Sequence, residues 1–301
     1  MRVVILGSAA GGGVPQWNCG CSRCWAARAS GSGRTQSSLA VTADGERWVL
    51  LNASPDLRQQ VAARPALWPR GPRDTPFCAV VLTDAEIDHT LGLMLMREGT
   101  SPLPVYAPEG VATLLGHDWP LFRVMAHYSG IEARPLTGVG TTPLRDLEGR
   151  DLGILCTAEP IARRAPRYAT GAPAAAFGVG LRLEDTRTRG VLAFIPSAGA
   201  VDDTVRSLAS GADLLCFDGT FWSDDELGRA GADPHAARAM GHLPVGGPDG
   251  SLALLGGLGA RRIVLVHLNN TNPLLERASP ERALVTAAGI AVAEDGMEFE
   301  L

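Results

Sequence analysis

Short apolar runs, each ended by a polar or turn residue, constrain the fold of this chain more than any other feature. The runs are rich in valine, isoleucine and leucine, and their length suits buried β-strands. They occupy residues 3–6, 48–51, 79–82, 153–156, 191–195, 214–217 and 263–266. The sequence therefore predicts a fold built on buried strands that are spread along the whole chain.

Helical patterns lie between several of these strands, at residues 93–97, 111–115, 204–208 and 252–258. We expect a last helix after Ser279, whose side chain can cap it, with Pro280 at its first position and Glu281 in its first turn. Mixed strands and helices without a long polar linker are typical of one layered α/β domain. The expectation is a single domain over residues 1–301.

The charged residues limit the classes of partner and the classes of reaction that we expect for this chain. With 27 basic and 32 acidic residues the net charge is −5, which argues against a broad nucleic-acid-binding face. Every one of those basic residues is arginine, which excludes Schiff-base chemistry on lysine and a phosphate-loop lysine. The apolar start of the chain is interpreted as a strand and not as a signal peptide, and no apolar stretch is long enough to cross a bilayer. We expect a cytoplasmic protein with no nucleic-acid or membrane partner.

Potential metal ligands follow several predicted strands at the point where each strand ends. His89 comes shortly after the third run, and Asp218 and His267 directly follow the last two. Loops from one edge of a sheet can converge, so side chains that are distant in sequence can meet there. Three such strand ends in one chain favour a metal site or an acid–base site.

The segment after the third run is unusually acidic. Asp84, Glu86 and Asp88 precede His89 within six residues. Carboxylates this close repel each other, and a cation is the most direct way to hold them together. The alternative is a helix N-terminus, where the helix dipole favours acidic groups. His89, together with the later Asp218 and His267, favours the metal interpretation.

The two later strand ends have simpler alternatives. His267 could be a core histidine, and Asp218 could cap a turn with Gly219. A set of two histidines and a carboxylate on one face is, however, the arrangement of non-haem iron(II) sites. His242 lies in a loop with glycine and proline on both sides and is a candidate for supporting the ligands or contacting the substrate.

Cys19, Cys21 and Cys24 form a second constellation, CxCxxC, at residues 19–24. In a reducing compartment, thiols at this spacing more often bind zinc than form disulfides. A closed tetrahedral site needs a fourth ligand, which must come from elsewhere in the chain. The alternative is a redox-active or solvent-exposed cysteine cluster.

Long stretches of the sequence resemble the PqqB family of pyrroloquinoline quinone biosynthesis proteins. They are GGGVPQWNCGCSRC, RTQSSLAVTADGERWVLLNASPDLRQQ, TPFCAVVLTDAEIDHTLGLMLMREG, FDGTFWSDDEL, MGHLPVGG and HLNNTNPLL. The stretches run in order from the first strand to Pro273. This family is part of the metallo-β-lactamase superfamily, so the resemblance implies an αββα sandwich of mixed sheets with helices on the outer faces.

The resemblance also implies roles in the acidic segment. The metal motif of the superfamily is HxHxDH. Asp84 and Glu86 stand where the two leading histidines are usual, whereas Asp88 and His89 match the end of the motif. One metal position is therefore kept and the other is altered, which favours a single metal ion. Asp84 and Glu86 are expected to support the ligands or to form an altered second site.

Two further residues complete the implied active site. Asp218 matches the bridging aspartate of the superfamily and His267 matches its final histidine, while the histidine usually found between them has no obvious counterpart. The expected active-site ligands are Asp88, His89, Asp218 and His267. The expected catalytic residues are Asp88, His89 and His267.

A related phosphodiesterase of the superfamily binds structural zinc through a CxCxxC loop and a histidine three residues beyond the last metal histidine. The resemblance therefore implies structural zinc at Cys19, Cys21 and Cys24. The position of that histidine is Asn270 in this chain. Asn270, or a water molecule, is the candidate fourth ligand.

The function that the resemblance implies is a step in making pyrroloquinoline quinone. That step is an Fe(II)- and O2-dependent hydroxylation of the tyrosine ring in a precursor derived from glutamate and tyrosine. Other proteins of the pathway are possible partners, and a homodimer is possible. Two alternatives stay open: a non-catalytic carrier or release factor for the quinone in its transport to the periplasm, and a metal-dependent hydrolase.

Overall fold

Two mixed β-sheets form the centre of the molecule in the computed structural model. The structure describes residues 1–136, 140–169, 177–232 and 234–301, and within these ranges each sheet has seven strands. The strands are β1 (Arg2–Gly7), β2 (Ser38–Thr42), β3 (Trp48–Leu51), β4 (Phe77–Val81), β5 (Leu103–Ala107), β6 (Ile131–Pro135), β7 (Thr141–Arg145), β8 (Asp151–Pro160), β9 (Val179–Asp185), β10 (Val191–Ile195), β11 (Leu214–Asp218), β12 (Ile263–Val266), β13 (Ala291–Val292) and β14 (Glu298–Glu300).

The two sheets have closely similar strand arrangements. The first has the order β14-β1-β2-β3-β4-β5-β6, and the second has the order β13-β12-β11-β10-β9-β8-β7. In the first sheet the pairs from β3 to β6 are parallel, and in the second the pairs from β10 to β13 are parallel. The remaining pairs are antiparallel. The loops that follow β4, β11 and β12 carry the candidate ligands.

Short helices accompany the strands. They are α1 (Ser22–Ser30), α2 (Leu57–Ala62), α3 (Ile87–Thr90), α4 (Gly92–Leu95), α5 (Glu109–Gly116), α6 (Leu121–Met125), α7 (Asp203–Ala209), α8 (Glu226–Arg229), α9 (Ser251–Leu255) and α10 (Pro280–Ala287). Among the described residues, no helix combines the length and the apolar character that a bilayer-spanning segment needs.

Alternation along the strands produces three apolar layers. In β1, Val3 and Ile5 join the layer between the two sheets, whereas Val4 and Leu6 face the helices on the outer side of the first sheet. The outer face of the second sheet packs on α7, α9 and α10 in the same way. Successive side chains of a strand point to opposite faces, so strands with apolar residues at every position bury both faces. This arrangement confirms the predicted αββα sandwich.

The apolar runs identified strands correctly, and the less apolar strands were missed. Each predicted run overlaps a strand, and the runs at 48–51, 191–195 and 263–266 have the bounds of β3, β10 and β12. The predicted start of α10 is confirmed, because the Ser279 side chain accepts a hydrogen bond from the Arg282 backbone N–H. Strands such as β6 (Ile131–Pro135) gave no signal because they are only partly buried and contain charged residues.

Candidate metal centres

A cleft of about 590 Å³ opens where the loops after β4, β11 and β12 meet. Asp88, His89 and His267 line it, together with Thr220 and His242. His89 lies in α3 and is almost wholly buried, and His267 directly follows β12. The structure thus brings together side chains that are up to 179 residues apart in sequence.

The imidazole of His89 is held by Asp84. Its Nδ1 atom lies 2.8 Å from both carboxylate oxygens of Asp84, which fixes Nδ1–H as the donor. The opposite nitrogen, Nε2, is buried and has no hydrogen-bond partner among the described residues. Burial by itself would lower the pKa of His89, but the charges of Asp84 and Asp88 raise it to about 9. The carboxylates therefore favour a cation at this position, and Nε2 is the atom left to bind one.

The imidazole of His267 is held in the same manner by a different residue. Its Nδ1 atom lies 2.8 Å from the hydroxyl oxygen of Thr220, and that hydroxyl donates to Oδ1 of Asp218 over 2.6 Å. The Thr220 oxygen must then accept from Nδ1–H, so Nε2 of His267, which lies 3.2 Å from Oδ2 of Asp88, is the nitrogen available to a metal ion. His267 has a φ of 60°, a left-handed backbone conformation that costs energy for a non-glycine residue and is found preferentially at functional sites.

Asp88 lies where the two free nitrogens converge. Its Oδ2 atom is 3.2 Å from Nε2 of His267 and 3.7 Å from Nε2 of His89. Burial would raise the pKa of Asp88, but the neighbouring imidazoles hold it well below its usual range. Two imidazole nitrogens and an ionised carboxylate, with an orphaned nitrogen among them, fit a divalent transition metal ion with open coordination positions.

Asp218 belongs to a second, adjacent group. Its ligand atoms and those of His242 and His267 lie within 4.8 Å of one another, and so do those of Asp88, His89 and His267. His267 is common to both groups. Oδ2 of Asp218 accepts from the Ala198 backbone and from Nδ1 of His242, each over 2.8 Å, and Oδ1 accepts from the Thr220 backbone and hydroxyl. Asp218 therefore has four hydrogen bonds here, and direct metal binding would replace at least one.

The remaining acidic residues of this region contact arginine. Arg163 forms ion pairs with Asp84 and, over 3.4 Å, with Oε1 of Glu86. Asp84 is fully buried, and Arg163 is nearly so. Burial would raise the pKa of Asp84, but Arg163 and His89 hold it far below its usual range. Arg163 thus neutralises the two acidic residues that stand where the superfamily motif has its leading histidines.

The three cysteines come together as predicted by their spacing. The sulfur atoms of Cys19, Cys21 and Cys24 lie within 4.8 Å of one another at the start of α1. The side-chain nitrogen of Asn270 lies 3.1 Å from the sulfur of Cys19, 3.5 Å from that of Cys24 and 3.8 Å from that of Cys21. The amide of Asn270 thus occupies the fourth corner of the cluster, and turning it over would present its oxygen.

The thiols of this cluster differ in acidity. Burial opposes ionisation of Cys21, but hydrogen bonds from the Cys24 backbone and from its neighbours lower its pKa. Burial raises the pKa of Cys24 to about 11. Zinc binds thiolates, so one thiol of the cluster is prepared for the metal and another must lose its proton on binding.

Sequence reasoning missed several residues of the cleft. His235 lines it, although no motif in the sequence marks this residue. Thr220 had a weak signal, since it follows Asp218 by two positions in the loop after β11. Arg163 had none, because it meets Glu86 across 77 residues. Other lining residues that were missed include Arg164, Arg167, Tyr168 and Phe221.

Comparisons with known proteins agree with this architecture. Residues 47–268 match a family model described as the beta-lactamase superfamily domain. The coenzyme PQQ synthesis protein B of Cupriavidus necator is 46% identical over 99% of this chain and 98% of that protein. Its counterpart in Methylococcus capsulatus is 44% identical over the whole of both chains.

Solved structures also match this chain in fold. The crystal structure of Zn²⁺-bound PqqB from Methylobacterium extorquens matches with a TM-score of 0.90 and 42% identity over the whole of both chains. A diphosphatase of the PhnP family matches with a TM-score of 0.70 at 22% identity, which shows the fold alone. On this identity and coverage, the chain belongs to the PqqB family, the coenzyme PQQ synthesis B proteins, within the metallo-β-lactamase superfamily.

Proposed function

We propose that this chain takes part in pyrroloquinoline quinone biosynthesis as an iron- and O2-dependent hydroxylase of the tyrosine ring in a Glu-Tyr-derived precursor. The observation that carries the proposal is the convergence of the free Nε2 atoms of His89 and His267 on the carboxylate of Asp88. Two imidazoles and one carboxylate with open positions are the ligand set of non-haem iron oxygenases. The names of the relatives support the pathway.

In this proposal, Asp88, His89 and His267 would hold Fe(II), which when bound supplies the redox chemistry with O2. Asp84 and Thr220 keep the two imidazoles in the tautomer that presents Nε2. Loss of such a supporting hydrogen bond typically lowers metal affinity by about 10- to 100-fold. Asp218 acts through Thr220 and His242, or joins the ligands by giving up a hydrogen bond.

The cleft also suits an anionic substrate. Arg164 and Arg167 line it, are exposed, and form no ion pair with any residue in the described ranges. Arginine binds carboxylates through paired N–H donors. A precursor built from glutamate and tyrosine carries carboxylates that these side chains would bind, with its ring directed toward Asp88 and the two histidines.

We further propose that Cys19, Cys21 and Cys24 hold a structural zinc ion with Asn270 as the fourth ligand. Thiolates select zinc, whereas the nitrogen–oxygen set of the cleft suits iron. Different donor chemistry would keep the two metals apart. A homodimer and contacts with other proteins of the pathway belong to the same proposal.

A hydrolase is the second enzymatic candidate, because bound metal hydroxide hydrolyses substrates in other proteins. The ion pairs of Arg163 with Asp84 and Glu86 argue against the second metal position that a two-metal hydrolase needs. A non-catalytic carrier of the quinone would need the cleft but no reaction. Fold by itself does not choose among these functions.

The test is anaerobic loading with Fe(II), followed by O2 uptake in the presence of a Glu–Tyr dipeptide and ascorbate, with mass analysis of the product. Ascorbate supplies the two electrons that reduce the second oxygen atom of O2 to water. The hydroxylase hypothesis predicts O2 uptake and a product with one added oxygen atom. His89→Ala should abolish both, and His117→Ala, which changes an exposed histidine, should change neither. Iron binding without uptake, together with tight binding of the quinone, would instead identify a carrier.

A further inference from the structure

Arg163 is a buried cation placed between two carboxylates of the cleft. The side chain is only 6% exposed, and its guanidinium contacts Oδ2 of Asp84 and, at 3.4 Å, Oε1 of Glu86. Asp84 is fully buried, and Glu86 is partly exposed toward the cleft. The guanidinium is therefore enclosed in the wall of the cleft, not held as a loose surface ion pair.

The chain leaves room for this arginine at Gly178. A Cβ atom added to Gly178 would overlap Cδ of Arg163 and lie 2.8 Å from its Cγ. The backbone of Gly178 also forms an antiparallel bridge with that of Asp84, so the three residues are packed as one unit. The stem of Arg163 passes directly over the missing side chain. Any side chain at position 178 would therefore force the stem of Arg163 to shift from this path.

The electrostatic reason for this arrangement is the proximity of Asp84 and Glu86. Two carboxylates in a poorly solvated site repel each other and need a cation. A divalent metal ion or a guanidinium can meet this need, and both cannot occupy the same space. Arginine stays charged at any pH the protein meets, and it binds carboxylate oxygens through fixed N–H donors.

We propose that Arg163 is a built-in cation that excludes a second metal ion from the cleft. By filling the space between Asp84 and Glu86, it closes that position to a metal ion. The cleft then keeps one ion, held by Asp88, His89 and His267, because the adjacent group of Asp218 and His242 shares His267 with that site. Arg163 also keeps Asp84 in place to accept the hydrogen bond from Nδ1–H of His89. It therefore positions the ligand His89 through Asp84. This inference concerns the number of bound ions and holds whichever reaction the cleft catalyses.

Mn²⁺ counting tests the proposal on the full-length protein with zinc in the cysteine cluster and no metal in the cleft. Mn²⁺ prefers oxygen and nitrogen ligands, so the cysteine cluster does not compete for it. Free Mn²⁺ is measured by electron paramagnetic resonance during a titration. The wild-type chain should bind one ion, Arg163→Met should bind two, and Arg163→Lys, which keeps a cation, should bind one. A folded Arg163→Met variant that still binds one ion would overturn the proposal.

Two further variants keep the test decisive. Gly178→Ala should displace the arginine without removing it and should also admit a second ion. Arg163→Met combined with His267→Ala should keep the new ion while losing the original one, which separates failure of this inference from failure of the original site. Mn²⁺ should raise the melting temperature of Arg163→Met more than that of the wild type, because binding to the folded state alone stabilises it. Equal shifts in the two proteins would contradict the exclusion.

Discussion

Nδ1 of His267 lies 2.8 Å from the hydroxyl oxygen of Thr220. Since the same hydroxyl donates to Asp218, it can only accept from the imidazole, and so it selects the tautomer of His267 whose Nε2 faces Asp88. A single hydroxyl thus connects the loop after β11 to the residue that follows β12. This contact explains how the cleft presents a nitrogen ligand from a strained backbone position.

Thr220→Val should weaken metal binding in the cleft. Valine keeps the shape and removes the acceptor, so His267 loses its orientation, and supporting contacts of this kind are worth about 10- to 100-fold in affinity. Thr220→Ser keeps the hydroxyl and should bind the metal nearly as the wild type does. Competition with a chelator of known affinity measures both variants. Equal affinity of the valine and serine variants would show that the hydroxyl does not orient His267.

Asp88→Asn should reduce iron binding more than Glu86→Gln. Asp88 lies between the two free imidazole nitrogens, whereas Glu86 contacts Arg163. An amide is a much weaker ligand than a carboxylate, so the first change removes a ligand and the second weakens an ion pair. Iron content after reconstitution and desalting measures the difference. The reverse order would place Glu86 among the ligands and contradict the assignment.

Part of this cleft could be predicted from the sequence, and part of it depends on how the chain folds. Asp88, His89 and His267 follow strong apolar runs, and a metal-binding residue type after a predicted strand can be recognised from the sequence alone. Arg163 and Arg167 lie in a segment without periodicity, and their place in the cleft follows only from how the chain folds back. The contact of His242 with Asp218 is equally a product of three-dimensional packing, since 24 residues separate the two.

The strands also divide into those that the sequence identifies and those that it does not. Strand β12 (Ile263–Val266) is buried at every position, so its composition identifies it, whereas β7 (Thr141–Arg145) buries one residue in five and resembles a loop. The cysteine cluster was predictable from spacing alone because its members are close in sequence. Asn270, which contacts all three sulfurs, could be predicted only from the family resemblance.

Cys21→Ser should lower the stability of the protein and its zinc content while leaving iron in the cleft. A structural zinc ion contributes its binding energy to folding, so losing a thiolate ligand destabilises the native state. The melting temperature should fall by several degrees, and excess chelator should bring the wild type toward the same value. Cys78→Ser is the control, because that thiol lies outside the cluster. Unchanged melting and zinc content in Cys21→Ser would rule out structural zinc.

Glu226 should make the protein less stable as the pH rises. Burial raises its pKa from 4.5 to about 7, despite hydrogen bonds from Thr271 and the Trp222 backbone and the nearby charge of Arg23. The folded state then binds more protons than the unfolded state between these values, so stability falls through that window. Glu226→Gln should remove this fall. Above pH 7 its free energy of unfolding should exceed that of the wild type by up to about 3 kcal/mol.

Thermal unfolding of wild type and Glu226→Gln across this pH range measures the effect. Glu109→Gln changes an exposed glutamate and serves as the control. The two curves should meet near pH 4.5, where the carboxyl of the wild type is protonated in the native state. Parallel curves for the wild type and Glu226→Gln would mean that Glu226 is ionised in the folded protein.

The central claim is that the cleft inserts an oxygen atom from O2 into a tyrosine ring. Turnover of a Glu–Tyr substrate by the iron-loaded protein with ascorbate as the electron donor, once with isotopically labelled O2 and once with labelled water, tests it most directly. The account predicts that the oxygen added to the ring carries the label of O2 and that Asp88→Asn gives no product. A product whose new oxygen comes only from water would contradict it.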